Sequence, residues 1–108
     1  MNNENEELLK QSNLLLKIAR DSIFECLNNT KIIDRDNLLE KYPKFCEQRA
    51  TFVTLNLNGN LRGCIGSLLP QRELLEDIIS NAKAAAFDDP RFYPLSLEEF
   101  NTIEIEIS

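Results

Sequence analysis

Residues 51–66 read TFVTLNLNGNLRGCIG, and this stretch limits the fold more than any other. Val53, Leu55 and Leu57 alternate with Phe52, Thr54 and Asn56, the two-residue period of a half-buried strand. Asn58-Gly59-Asn60 follows, a hairpin signal. Loop length decides which side chains share a face. A two-residue loop, Asn58-Gly59, sets Leu55 opposite Arg62 and Val53 opposite Cys64. A three-residue loop, Asn58 to Asn60, sets Leu57 opposite Leu61, Leu55 opposite Gly63 and Val53 opposite Ile65. The second register gathers every aliphatic residue on one face. A one-residue slip would turn them all over, so the longer loop is expected, with Asn60 left-handed. Arg62, Cys64 and Gly66 then project from the other face, beside Phe52, Thr54 and Asn56.

Helical periods flank the hairpin. Leu8, Ser12, Leu15, Leu16, Ala19, Ile23 and Leu27 make one stripe at three- and four-residue steps. A short turn is expected over Asp36 to Lys41, with Asp34 as N-cap and Pro43 ending it. After Pro70 a second helix is expected over about Gln71 to Phe87, with Leu75, Ile78, Ile79, Ala82, Ala85 and Ala86 inward. Pro90 stops it. Ser96 and Glu99 stand at capping-box spacing. Ile103, Ile105 and Ile107 alternate with Glu104, Glu106 and Ser108, a third strand. The fold class expected is α+β: an antiparallel or mixed sheet containing the hairpin, packed by two main helices. Residues 1–7 are expected to be a flexible tail, and residues 8–108 the front part of a larger fold.

Composition narrows the function. The chain has 108 residues, 12 basic and 18 acidic, a net charge of −6. Such a field does not suit a general nucleic-acid or anionic-membrane binder. No apolar run approaches the roughly 18 residues of a spanning helix, and the acidic start is no secretory signal. These features point to the cytoplasm. Cys26, Cys46 and Cys64 are odd in number with no CxxC, which suits neither a disulfide framework nor a zinc site. The chain has no histidine, so a Ser-His-Asp or Cys-His site cannot be built within it. No metal or cofactor is expected.

Candidate chemistry centres on LRGCIG, Leu61 to Gly66. Arg62 on the same face could lower the pKa of the Cys64 thiol and make it a nucleophile. Cys64 reads equally as a ligand contact or a small half-buried hydrophobe. Arg62 could bind a carboxylate or phosphate through its planar fork, or pair across the sheet with Glu104 or Glu106. Gly63 and Gly66 would let a ligand approach the backbone, or Gly63 makes room for the alanine-rich helix. The spacing of Gly59, Gly63 and Gly66 fits no phosphate loop. Asp89 and Arg91, in a proline-held turn, either line the same cleft or pair with each other. Glu104 and Glu106 read as a solvated strand face rather than as acid and base. The candidate set is therefore Cys64 for catalysis and Arg62, Gly63, Gly66, Asp89 and Arg91 for a ligand.

Three blocks in order, FVTL…GNLRGCIGSL, NAKAAAFDDPRFYPL and IEIEIS, resemble the AMMECR family, named for a human Alport-syndrome deletion region. LLKIARDSI is similar to that family's opening helix. The resemblance covers about residues 8–108, whereas family members usually continue well beyond the corresponding point. It implies an α/β protein whose hexapeptide is the functional site, with no reaction assigned. Microbial members accompany a Memo-like and a radical-SAM protein, and eukaryotic ones are regarded as partner-binding. The expected function is the binding of a small anionic ligand at the LRGCIG face. The alternative is an adaptor that binds a protein partner. An exposed final strand also leads us to expect a homo-oligomer.

Overall fold

The computed structural model describes residues 3–108. Helix α1 runs Asn3–Asn28 and α2 Arg35–Lys41. A 3-10 turn over Pro43–Cys46 precedes strands β1 (Phe52–Leu57) and β2 (Asn60–Gly66). Helix α3 (Leu74–Phe87), the short α4 (Leu97–Phe100) and strand β3 (Glu104–Ile107) complete the chain. The sheet order is β2-β1-β3, antiparallel throughout. Helices α1 and α3 cover one face of it, giving the expected α+β layers.

That covered face holds the core. Val53 and Leu55 of β1 are fully buried against Ile18, Ala19 and Ile23 of α1 and against Leu75, Ile78, Ile79, Ala82, Ala85 and Ala86 of α3. Phe45, from the 3-10 turn, fills the core beside them. Each buried Val, Leu or Ile side chain contributes about 1.5–3 kcal/mol. The small residues of α3 let it come close: a Cβ on Gly63 of β2 would overlap the carbonyl oxygen of Ala85.

Several helix limits follow the sequence signals. The Asp34 side chain caps α2 by accepting from Asn37 N. Ser96 and Glu99 form a full capping box. Asn29 ends α1 in the left-handed region (φ 49°), and Thr30 N donates back to Glu25 O at 3.1 Å, the six-to-one bond of a Schellman stop. Two limits differ. Helix α1 takes in residues 3–7, expected as a tail, because nothing in NENEE breaks a helix; Met1 and Asn2 lie outside the described residues. Helix α3 starts at Leu74 rather than Gln71, because Glu73 is held extended in a bridge to Gln48.

The hairpin differs most usefully. Its turn is the two-residue one: Asn58 (φ 53°) and Gly59 (φ 81°) are both left-handed, as a type I′ turn requires. Leu57 therefore faces Asn60, and Asn56 faces Leu61. Yet Leu55 faces Gly63 and Val53 faces Ile65, as the longer loop predicted. A β-bulge between these pairs reconciles them, and Arg62 is the extra residue. The turn takes its preferred shape, and the bulge restores the apolar register. Leu61, expected to face the core, is instead exposed.

Candidate functional site

The bulge gives Arg62 its direction. Without it, a two-residue turn would have set the guanidinium opposite Leu55, on the core face. Instead Arg62 reaches the segment that crosses from α3 to β3. Its Nε donates to Glu99 Oε2 at 2.8 Å, and its Nη2 donates to Glu99 Oε1 at 3.0 Å and to Tyr93 O at 2.8 Å. This is a bidentate fork. The Arg62 side chain is only 11% exposed. Its pairing partner is thus Glu99, not Glu104 or Glu106. The Arg62 hydrogen bond holds the Glu99 carboxyl down to about 2, and Glu99 in turn raises the arginine.

Next along β2, the Cys64 thiol lies 3.2 Å from the Thr54 hydroxyl on the open sheet face. Its backbone N–H points out of the sheet edge and donates to Asp89 Oδ2 at 3.0 Å. Asp89 is buried and also accepts from Arg91: from the backbone at 3.1 Å, from Nε at 3.0 Å and from Nη2 at 2.8 Å. These bonds, Arg91's side chain first, hold the Asp89 carboxyl well below the usual range. Phe92 ties the two pairs together. Its ring centroid is 5.7 Å from the Arg62 guanidinium and 5.4 Å from that of Arg91, within cation–π range.

The structure thus brings Arg62, Cys64, Asp89 and Arg91 into one cluster, and adds Phe92 and Glu99. The two glycines stand apart from it. Gly63 is buried under α3, and Gly66 lies at the far end of β2, where a Cβ would overlap the Phe52 ring. Both serve close packing. Arg62 is committed to Glu99, so the cation expected to activate Cys64 is already engaged. Two guanidiniums balance two carboxylates here. Arg62 Nη1, however, is buried with no partner, the one such side-chain atom found among the described residues.

A second polar cluster pins the start of β1 and the end of β2 to α3. Asp77, 1% exposed, accepts from Thr51 N (2.8 Å), Thr51 Oγ1 (2.7 Å), Ser67 Oγ (2.6 Å), Arg72 Nε (3.0 Å) and Asn81 Nδ2 (3.1 Å). Burial pushes its pKa up, but the donors from Ser67, Thr51 and Arg72 outweigh that and lower it. Five donors saturate a carboxylate, so Asp77 has no lone pair left for a ligand. Its place is structural. Among the described residues no group of three or more metal-ligating side chains gathers, and no helix is long and apolar enough to cross a membrane.

The AMMECR1 family model matches residues 16–108. The chain belongs to the AMMECR1 family. A protein of Methanothermobacter thermautotrophicus is 43% identical over 95 residues, covering 87% of this chain and 48% of the relative. One from Methanocaldococcus jannaschii is 38% identical over 103 residues, covering 93% and 49%. The crystal structure of an uncharacterised protein from Pyrococcus horikoshii superposes with a TM-score of 0.82 at 36% identity, covering 92% of this chain and 50% of that one. The chain spans about half the length of the relatives it matches.

Proposed function

We propose that this AMMECR1-family chain is a binding domain whose hexapeptide face takes a small ligand through a carboxylate or phosphate oxygen. The observation that carries this reading is Arg62 Nη1, a charged donor buried without an acceptor. Leaving such a group unpaired costs about 1–3 kcal/mol or more, which an incoming oxygen would offset. Arg91, whose guanidinium also lies within cation–π range of Phe92, is half exposed; its Nε and Nη2 are held by Asp89, which leaves Nη1 to meet the same ligand. Cys64 contributes a ligand contact rather than a nucleophile.

Thermal unfolding with and without inorganic phosphate or succinate tests this reading, since a ligand bound by the folded state raises its stability. The midpoint should rise with ligand, and Arg91→Gln should abolish the rise while Lys83→Gln leaves it. No rise, or one that survives Arg91→Gln, refutes the reading.

The adaptor reading has its own observation. Tyr93 is 89% exposed, and Leu61 and Leu97 are also open to solvent. The resemblance suggests Memo-like and radical-SAM companions as binding partners. If these bind in a pull-down and Tyr93→Ala weakens the capture, with no phosphate or succinate effect, the adaptor reading replaces the first.

A further inference from the structure

An oxygen that pairs with Arg62 has to move the chain that covers it. A guanidinium carries five N–H donors in one plane. The Nε hydrogen and one Nη2 hydrogen go to the two oxygens of Glu99, and the other Nη2 hydrogen goes to the Tyr93 carbonyl at 2.8 Å. The outer edge of the guanidinium, Nη1 with that second Nη2 hydrogen, therefore meets only the Tyr93 carbonyl. Nη1 itself is buried and has no partner among the described residues. A carboxylate or phosphate fits such an edge with two oxygens. It must replace the Tyr93 carbonyl at Nη2, and it reaches Nη1 only once the cover lifts.

The cover is a short strap. Residues 90–94 join Asp89 to Leu95, both buried, without helix or strand. The two ends are fixed: Asp89 accepts from Cys64 N at 3.0 Å, and Leu95 N donates to Ala86 O at 2.8 Å. Between them Pro90, Arg91, Tyr93 and Pro94 are exposed, and Phe92 is half-buried. The strap holds Arg62 through the Tyr93 carbonyl and through the Phe92 ring, 5.7 Å from the guanidinium. Segments with so few buried contacts belong to the low-stability end of a fold. Glu99 lies outside the strap, on α4, so Arg62 keeps its direction when the strap lifts.

We propose that residues 90–94 are a self-inhibiting strap: the Tyr93 carbonyl holds the place of a ligand oxygen on Arg62, and an anionic ligand binds by displacing it. This rests on the reading of Arg62 as part of a ligand seat. Pro94 restricts Tyr93 to extended angles and so keeps its carbonyl on Arg62. The apparent affinity is the intrinsic one reduced to the fraction of chains with the strap open. Loosening the strap at Pro94 should thus tighten binding.

The test is a titration of the carbon-13- and nitrogen-15-labelled chain, and of Pro94→Gly, with inorganic phosphate. In the wild-type chain the Tyr93 carbonyl carbon should move upfield as it loses its donor, in step with the Arg62 Nε–H signal. Pro94→Gly should bind about two- to fivefold more tightly, because glycine gives the open strap the freedom that proline withholds. A Tyr93 carbonyl that stays fixed while Arg62 saturates refutes the strap and leaves the ligand seat standing. A folded Pro94→Gly chain that binds no more tightly than wild type refutes it too. The carbonyl measurement needs no variant, so it decides the matter even where Pro94→Gly does not fold. If Arg62 moves in neither chain, the ligand reading falls and the strap falls with it.

Discussion

Arg62 and Glu99 form a bidentate ion pair, and their coupling sets a pH dependence. The Glu99 carboxyl titrates at about 2 in the fold against 4.5 ordinarily. A depressed folded value means the stabilisation is complete above pH 4.5 and lost as pH falls towards 2. Allowing for its part exposure, the pair contributes on the order of 2 kcal/mol. Glu99→Gln should therefore lower stability by about that much at neutral pH. The gap to wild type should narrow as urea midpoints are followed from pH 5 to about pH 2. A constant gap would mean that charge is not the cause. The thiols give a second check. Cys26 and Cys46 are exposed whereas Cys64 is half-buried, so iodoacetamide should modify the first two before Cys64. Faster reaction at Cys64 would restore it as a nucleophile. Sequence spacing had placed Arg62 and Cys64 near one another and had marked Asp89 and Arg91. It could not show Glu99 as the partner of Arg62, because 37 residues separate them and a capping box already accounted for that glutamate.

At the scale of elements, alternation and helical periods foretold all three strands and both long helices. The hairpin shows where such reading stops. Apolar pattern correctly set Gly63 opposite Leu55 but wrongly selected the three-residue loop, whereas the turn is the two-residue Asn58-Gly59. Only a bulge satisfies both, and a bulge leaves no composition signal of its own. Two substitutions probe this arrangement. Gly63→Ala forces a methyl into the carbonyl of Ala85 and should cost about 2 kcal/mol or more, as overpacking does. Gly59→Ala meets no atom within 4 Å but keeps a left-handed φ of 81°; it should cost only about 1 kcal/mol. Equal losses in chemical denaturation would contradict the close approach of α3. The Asp77 cluster was not legible, since Thr51, Ser67, Arg72 and Asn81 are ordinary polar residues until the fold converges them. Asp77→Ala removes the common acceptor of five donors and should destabilise by roughly 3–5 kcal/mol.

At the scale of the whole molecule, the two sheet edges are treated differently. The outer edge of β2 is capped where Asp89 accepts from Cys64 N, while β3 lies open beside uncovered leucines of α1. Open edges invite pairing, and that consideration led to the sequence-based expectation of a homo-oligomer. The glutamates of β3 act against it, so sedimentation at rising concentration should report a monomer, and Glu104→Lys alone should promote self-association by matching Glu106 of the facing copy. A wild-type dimer would overturn the charge argument.

The proposed ligand seat joins Arg62 and Arg91, whose guanidiniums both lie within cation–π range of Phe92. The most direct measurement follows the guanidinium Nε–H resonances of a nitrogen-15-labelled chain during titration with inorganic phosphate. Concerted, saturable shifts of Arg62 and Arg91, with Arg35 and Arg72 unmoved, are predicted. Unmoved Arg62 and Arg91 signals at saturating phosphate, or equal shifts at all four arginines, would contradict it.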